Sequence, residues 1–569
     1  MRTPLRLAAA ASALTLITGC GLFGDDNDDE EATDAAEEVD EGDYGEGPFV
    51  KEGLFGGLEF EARVAVHHVE RWEDRSVLRF TVNALEETDE SYVLGLDAFN
   101  RSLAGSNYAF ELIDPVGGMH YAPMQNSDEQ SIGSIMPDAW VPEADYEIEL
   151  HYPPVPEDVD RVSLHTSSTA GEFTGIPVID AEPPEQPPSH DGKHGDIEPG
   201  DTVELQLRDH QPAADPEEWA NELHAITEES DRTRTDGTGQ RTVGLHADVL
   251  FEFDEAELTG EAADVLTEIA DETRADADPD EPPIAIVGHT DGQGSDDYNQ
   301  ALSEERAEAV HEFLSEERAE AVHEFLSEER AEAVHECLSE ELGDDYEYET
   351  EGRGADEPVA DESGDEENDV EEAQAANRRV EISYRLLAEA ERGEADTGGD
   401  DDGDGGGGSA AGADVAPPAP FREDDGEVVD SGSGTFLNGN AAYNVHVHPM
   451  YRDGAYLVGV FEFEHGGGSG AVPPISNVMA GEYGGGQFTR FSVSAEGTDE
   501  VLRAVRIGDL EQDGDTDAGT YLSSRYFNTL PKSDEDPKRM FAYFPAPTGD
   551  VDEVTLDADP FGEFTVPIE

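Results

Sequence analysis

Acidic side chains dominate this chain. Asp and Glu number 137 against 32 Lys and Arg, a formal net charge of −105 at pH 7. Like charges at that density repel one another and oppose compaction, so a single large core is a poor fit. The 569 residues also exceed what one ordinary core takes up, and roughly two to four domains are expected. Hydrophobic residues make up 36% of the chain, below the globular norm, which fits modest folded units joined by polar linkers. The same charge repels phosphates and argues against a nucleic-acid partner. The acids are spread over linkers and strand-like segments alike. That pattern fits a protein working in high salt, where the Debye length falls to about 3 Å at 1 M.

The first residues read as an address and an anchor. Arg2 and Arg6 give a positive start, and Leu7 through Ile17 form an apolar run too short to span a bilayer. Ile17-Thr18-Gly19-Cys20 follows and resembles the lipobox of bacterial lipoproteins. The resemblance implies a diacylglycerol on the Cys20 sulfur and cleavage just before it. No later stretch approaches the ~18 apolar residues of a transmembrane helix. Gly24 to Gly47 is dense in Asp and Glu and lacks apolar periodicity, so a disordered tether is expected. The other cysteine, Cys337, reads as a small helix hydrophobe.

Residues 49–182 read as an all-β module, with Val64 and Val66 alternating, then Leu78, Phe80 and Val82. Pro183-Pro184-Glu185-Gln186-Pro187-Pro188 opens a linker over 183–239, and an acidic Gly/Pro linker covers 389–430. Residues 431–569 are again strand-like and echo the first module. Tyr152-Pro153-Pro154-Val155-Pro156, Val162-Ser163-Leu164 and Gly171-Glu172-Phe173-Thr174 are matched in order by Phe544-Pro545-Ala546-Pro547, Val554-Thr555-Leu556 and Gly562-Glu563-Phe564-Thr565. A duplicated module follows, and short strands with polar turns suggest an immunoglobulin-like sandwich.

Between them, over 240–388, the periodicity changes. Val249, Phe251 and Phe253 alternate as in a strand, and Leu258, Ala262, Val265, Leu266 and Ile269 recur at helical spacing. Ile284 to Val287 is a second strand, ending in Gly288-His289-Thr290-Asp291 and a glycine-rich turn into a new helix. Tyr346 and Tyr348 mark another strand, and Val380, Ile382 and Tyr384 a last one. Strands alternating with helices make an α+β unit with helices packed on one sheet. Asp291 at a strand end, facing a helix that carries Arg306, makes an opposed charge pair around a pocket. A zwitterionic amino acid fits such a pair, with its ammonium on the carboxylate and its carboxylate on the planar guanidinium fork.

The motif Gly288-His289-Thr290-Asp291, then Tyr298-Asn299-Gln300-Ala301-Leu302-Ser303-Glu304-Glu305-Arg306-Ala307, resembles the OmpA-like peptidoglycan-binding domain. That domain also occurs in peptidoglycan-associated lipoproteins and flagellar stator proteins. Gly352-Arg353-Gly354 and Asn377-Arg378-Arg379-Val380-Glu381-Ile382 continue the likeness, which covers about a quarter of the chain. It implies a βαβαβ-type fold whose ligand is the diaminopimelate of the wall's stem peptide. It also implies ligand contacts at Asp291 and Arg306. Asn299 either caps the helix or touches the ligand, and Arg378 or Arg379 adds a carboxylate contact.

One departure is large. The twelve residues Leu302 to Phe313 recur at 314–325 and again at 326–337, where Cys337 replaces the phenylalanine. Each step turns a helix by about 120°, and two extra copies would lengthen it by roughly 36 Å. Either the first copy seats in the site with Arg306, the favoured arrangement, or the last copy seats with Arg330.

No Ser/His/Asp arrangement, phosphate loop or HExxH is present, so no enzyme and no cofactor are expected. His446 and His448 share a strand face without an evident third metal ligand. Asp513-Gly514-Asp515-Thr516-Asp517 lacks the glycine and the final glutamate of a calcium loop, and no metal site is expected. The preferred function is non-catalytic tethering of a membrane, outer or plasma, to peptidoglycan. The alternative is an adhesion or envelope-assembly protein whose β modules bind envelope proteins. A hydrolase within the β modules is the least favoured reading.

Overall fold

The structure is a computed structural model. It describes residues 47–569 apart from 56–59, 86–108, 138, 167, 185–189, 192, 209–210, 252–255, 257, 261, 279–280, 282, 315–347, 361, 363–366, 388–414, 437–440, 469–487, 496, 509–519, 525–529, 534 and 550. Cys20 and its flanking signal segment, the tether through residue 46, Arg330, Cys337 and the 513–517 loop lie outside the described residues.

The N-terminal part is built from β1 (Phe49–Phe55), β2 (Phe60–Arg71), β3 (Ser76–Ala84), β4 (Phe110–Asp114), β5 (Met119–Tyr121), β6 (Asp145–Tyr152), β7 (Arg161–Thr166), β8 (Glu172–Asp180) and β9 (Thr202–Glu204). Alternation in β2 does what a pleated strand requires: Phe60, Ala62, Val64 and Val66 are buried while Glu61 and Arg63 face out. A bulge between Val66 and His68 resets the phase so that Val69 is also buried. One sheet runs β1-β2-β3-β6 antiparallel, with β9 added parallel to β6. The other runs β5-β4-β7-β8 antiparallel, and β8 also pairs in parallel with the end of β2. Phe80 and Leu150 from the first sheet meet Phe110, Leu164 and Phe173 from the second in one core.

Residues 183–239, expected as a linker, carry β9 and two more strands, β10 (Ala220–Glu228) and β11 (Arg232–Asp236). The middle part continues with β12 (Gln240–His246), β13 (Ile284–Gly288), β14 (Tyr348–Gly352) and β15 (Arg379–Arg385). Their order across the sheet is β10-β11-β12-β15-β13-β14, antiparallel except for the parallel pair β13–β14. Helices α2 (Ala262–Asp276) and α3 (Asp296–Leu314) pack on this sheet through Leu266, Ile269, Ala307, Val310 and Phe313. A further helix, α4 (Glu367–Asn377), leads into β15. The strand expected from Val249, Phe251 and Phe253 is corrected at its start: residues Ala247–Leu250 form one helical turn, α1, and the strand is β12 just before it, while Phe253 lies outside the described residues. Leu250 and the neighbouring Phe251 are both buried at the end of this turn.

The C-terminal part comprises β16 (Asp430–Phe436), β17 (Ala441–Val447), β18 (Tyr451–Asp453), β19 (Tyr456–Gly468), β20 (Ser492–Ala495), β21 (Val501–Arg503), β22 (Arg506–Ile507), β23 (Thr520–Tyr521), β24 (Lys538–Pro545), β25 (Glu553–Asp557) and β26 (Glu563–Pro567). β16-β17-β19 form an antiparallel sheet, with β18 and β24 both pairing with β19. β21-β20-β25-β26 form a second antiparallel set. Phe461, Phe488, Phe491 and Phe561 fill the core between them. Phe491 meets Phe461 and Phe488 edge-on at 5.3 and 5.2 Å. The sequence echo has a common local form: β6 and β24 each lead through a Pro-containing turn into an antiparallel hairpin, β7–β8 and β25–β26.

β10 joins all three parts. Its first residues, Ala220 to Glu222, pair with β5, Leu223 and His224 pair with β22, and Thr227 and Glu228 pair with β21 as well as β11. The two β parts also meet directly. Residues 415–421, expected within the acidic Gly/Pro linker, wedge between them. The Ala419 N–H donates to Asp453 at 2.8 Å, Thr174 Oγ1 donates to the Pro420 carbonyl at 2.6 Å, and Phe421 packs on Phe49 at 5.1 Å. Beside this wedge Glu172 is fully buried and takes two bonds from Arg539, at 3.0 and 2.7 Å, and one from the Tyr451 hydroxyl at 2.9 Å. Buried charges persist only when paired in this way.

Candidate functional site

The site lies at the ends of β13 and β14, where α3 begins. Two glycines allow α3 to come this close. A Cβ on Gly288 would stand 2.0 Å from the Ser303 carbonyl oxygen, and one on Gly352 would stand 2.3 Å from the Glu304 nitrogen. The helix is capped by Ser295, whose Oγ accepts from the Tyr298 N–H at 3.4 Å. Asn299 is therefore inside α3 and is not its cap. It is buried, and its Nδ2 donates to the Asp291 carbonyl at 3.2 Å, fixing the loop that presents Asp291.

The first repeat copy forms α3, which places Arg306 one helical turn beyond the Leu302 and Ser303 positions. Arg306 is 3% exposed, and its guanidinium lies 5.1 Å over the Phe251 ring. Burial pushes this guanidinium below the ordinary arginine range. Asp248 and Asp291 act against that fall and Arg378 adds to it.

The direct partner of Asp291 is Arg378, whose Nη1 donates to it at 2.8 Å. Arg378 also forks onto Asp248, with Nε and Nη2 at 3.1 and 2.7 Å from the two carboxylate oxygens. These bonds hold Arg378 above its usual range, and the hydrogen bond from Arg378 holds Asp248 below the usual carboxylate range. Arg379, the next residue, turns inward. Its three nitrogens reach Glu381 at 2.7 Å, the Asn377 carbonyl at 3.3 Å and the Glu357 carbonyl at 3.2 Å. Asn377 in turn donates to Glu362 at 2.8 Å, and Glu362 accepts the Gly292 N–H at 3.0 Å. The Asn-Arg-Arg motif thus ties down the Asp291 loop, bridges two acids, and braces the strand. Beside Asp291, Thr290 Oγ1 is buried without a hydrogen-bond partner among the described residues.

Sequence reasoning missed Asp248, Glu362 and the role of Phe251. Asp248 carried no usable signal among so many acids. Away from this site, His446 contacts Ser431 Oγ at 2.8 Å, and His448 contacts the Gly426 carbonyl at 3.2 Å. No group of three metal-ligating side chains occurs among the described residues.

Residues 250–321 match the OmpA family model. The middle part of the chain carries an OmpA-family domain. The outer membrane protein A of Serratia marcescens is 39% identical over 69 residues, which are 12% of this chain and 19% of that protein. That of Escherichia fergusonii is 40% identical over 69 residues, 12% of this chain and 28% of the relative. The chain therefore spans from about a fifth to somewhat over a quarter of these curated relatives. Among solved structures, the cell wall anchor of the T6SS from Pseudomonas aeruginosa is 24% identical, covering 26% of this chain and 83% of that one, with a TM-score of 0.18. The peptidoglycan-associated lipoprotein from Burkholderia pseudomallei is 25% identical, covering 24% and 88%, with a TM-score of 0.16. The OmpA family match includes Asp291, Asn299 and Arg306 and ends inside the second repeat copy.

Proposed function

We propose that this chain ties a bacterial membrane to peptidoglycan without catalysis, by binding the zwitterionic diaminopimelate of a wall stem peptide at Asp291 and Arg306. One observation carries this reading. A buried guanidinium lies over the Phe251 ring on α3, and Asn299 of the same helix holds the loop that carries the Asp291 carboxylate. Such a pair offers one charge to each end of an amino-acid zwitterion. The Thr290 hydroxyl, without a partner among the described residues and next to Asp291 in the chain, is a further group that a ligand would satisfy. Asn299 acts by holding the loop, Arg378 supplies the second cation, and Arg379 braces the strand behind it.

The membrane end of the tether is a lipid on Cys20, most simply in the outer membrane, whose resident proteins are the curated relatives. The two β parts, in this reading immunoglobulin-like sandwiches, stand as one body beside the wall-binding domain and can present a surface to envelope proteins. The acid excess suits an envelope bathed in concentrated salt, where self-repulsion is screened.

The test is retention on isolated cell-wall sacculi. The full-length protein should sediment with them, and Asp291→Ala should release it, as should charge reversal at Arg306. Retention of Asp291→Ala on the sacculi would overturn the reading. Release by reversal at Arg330, with Arg306 reversal harmless, would move the site to the last repeat copy.

A further inference from the structure

We propose that Asp248 is a positioning residue of this site: by holding Arg378 in a two-bond fork, it keeps the Asp291 carboxylate open to an incoming ammonium group. The inference rests on the reading of the site given above.

One guanidinium is divided between two acids. Arg378 gives Nε and Nη2 to the two oxygens of Asp248, at 3.1 and 2.7 Å. It gives one nitrogen, Nη1, to one oxygen of Asp291, at 2.8 Å. The other Asp291 oxygen accepts the Gln293 N–H at 3.0 Å. A carboxylate offers about four lone-pair positions, so Asp291 keeps room for a further donor. A fork is the stronger pairing for guanidinium and carboxylate. If the charge of Asp248 were removed, the fork would turn to the remaining acid. Both Asp291 oxygens would then face Arg378, and the ammonium of the ligand would have to displace it.

Asp248 itself is more than half exposed, and Arg378 and Arg306 both act on it. Neither its burial nor a packing role explains its fork on Arg378.

The test is titration of the full-length protein with free meso-diaminopimelate, followed by calorimetry. Asp248→Asn should weaken binding about tenfold, and Asp248→Glu, which retains the charge, should restore most of it. In an Arg378→Met background the Asp248→Asn change should have no effect, because there is no fork left to misdirect. Equal weakening by Asp248→Asn in both backgrounds would overturn the proposal, since the residue would then act without Arg378. Unchanged binding in Asp248→Asn, with Asp291→Asn and Arg306→Met both defective, would also overturn it. Intact binding in those last two variants would instead remove the reading of the site, and this inference with it.

Discussion

Replacing Glu172 by Gln should cost about 3 kcal/mol of stability. The carboxylate side chain is 1% exposed and sits where the two β parts meet. Gln keeps the shape and one acceptor oxygen, but the fork from Arg539 at 3.0 and 2.7 Å loses its charge. Breaking a buried pair from one side costs about 3–5 kcal/mol. Arg539 retains a second fork on Asp425, at 2.7 Å for each bond, which places the loss at the low end of that range. Lys51 adds a pH signature. Its ammonium donates to the Glu172 carbonyl at 2.7 Å, and burial lowers it from 10.5 to about 8. Because the folded value lies below the unfolded one, the charged lysine is a burden at neutral pH that lifts between about 8 and 10.5. Without the Glu172 charge that burden grows and the lysine gives up its proton at lower pH, so the lysine's share of the variant's deficit should shrink as pH rises toward 8 and be gone above it. Urea unfolding followed by Trp72, Trp140 and Trp219 measures this, at pH 7 and 9.5 and at low and molar salt. A buried pair is poorly screened, so the deficit should persist in salt. A loss under about 1 kcal/mol at pH 7, or one that salt abolishes, would show that the pair is solvated and the argument wrong.

Two further outcomes follow from other groups. Gly288→Ala should destabilise the OmpA-family domain by about 2–3 kcal/mol, because its methyl would meet the Ser303 carbonyl at 2.0 Å. Since α3 carries Arg306, wall binding should fall with the melting temperature, and a stable, fully binding variant would contradict the packing described. Asp453 is fully buried and raised from 3.8 to about 6 by that burial. Its folded value lies above its unfolded one, so the folded state holds the extra proton and stability falls as pH rises from about 4 to 6. The difference in unfolding free energy between the native chain and Asp453→Asn should decline by about 3 kcal/mol over that window, and a flat difference would refute the assignment.

The parts of the fold legible in the sequence are those whose signal is local. β13 and β15 bury alternate residues of their own segments, Ile284 and Ile286 in one and Val380, Ile382 and Tyr384 in the other. α3 shows Ala307, Val310 and Phe313 at helical spacing because one face of it lies on a sheet. β10 also buries alternate residues, Leu223, Ala225 and Thr227, but only the first is strongly apolar, so the alternation is faint in the sequence. Its partners β5, β22 and β21 come from distant segments on either side, with β11 as its neighbour. A strand held by backbone pairing with distant edges needs few large apolar residues of its own, so composition made it a linker. The same holds for residues 415–421, where prolines that read as a spacer fill a seam between two β parts.

The site divides along the same line, with one addition. Asp291, Asn299 and Arg306 stand at fixed spacings on a turn and one helix, and Asn299 bonds back to the Asp291 carbonyl, so this stretch was legible from local sequence. Arg378 and Arg379 could not be told apart until the strand phase was known. Arg379 opens β15 and Arg378 stands just before it, so consecutive side chains point to opposite sides. One reaches the Asp291 loop, and the other reaches carbonyl oxygens behind the sheet. Asp248 was hidden for a different reason. In a chain with 137 acids an aspartate carries almost no information about where function lies. Cations, at 32, are the scarce species, and the buried or half-buried ones show which acids are engaged. Arg539 identifies Glu172 and Asp425 at the seam, Arg241 identifies Asp236, and Arg378 identifies Asp248 and Asp291 at the site. In so acidic a protein each acid that does specific work can be found by asking which arginine has been brought to it. The remaining acids act through their summed charge.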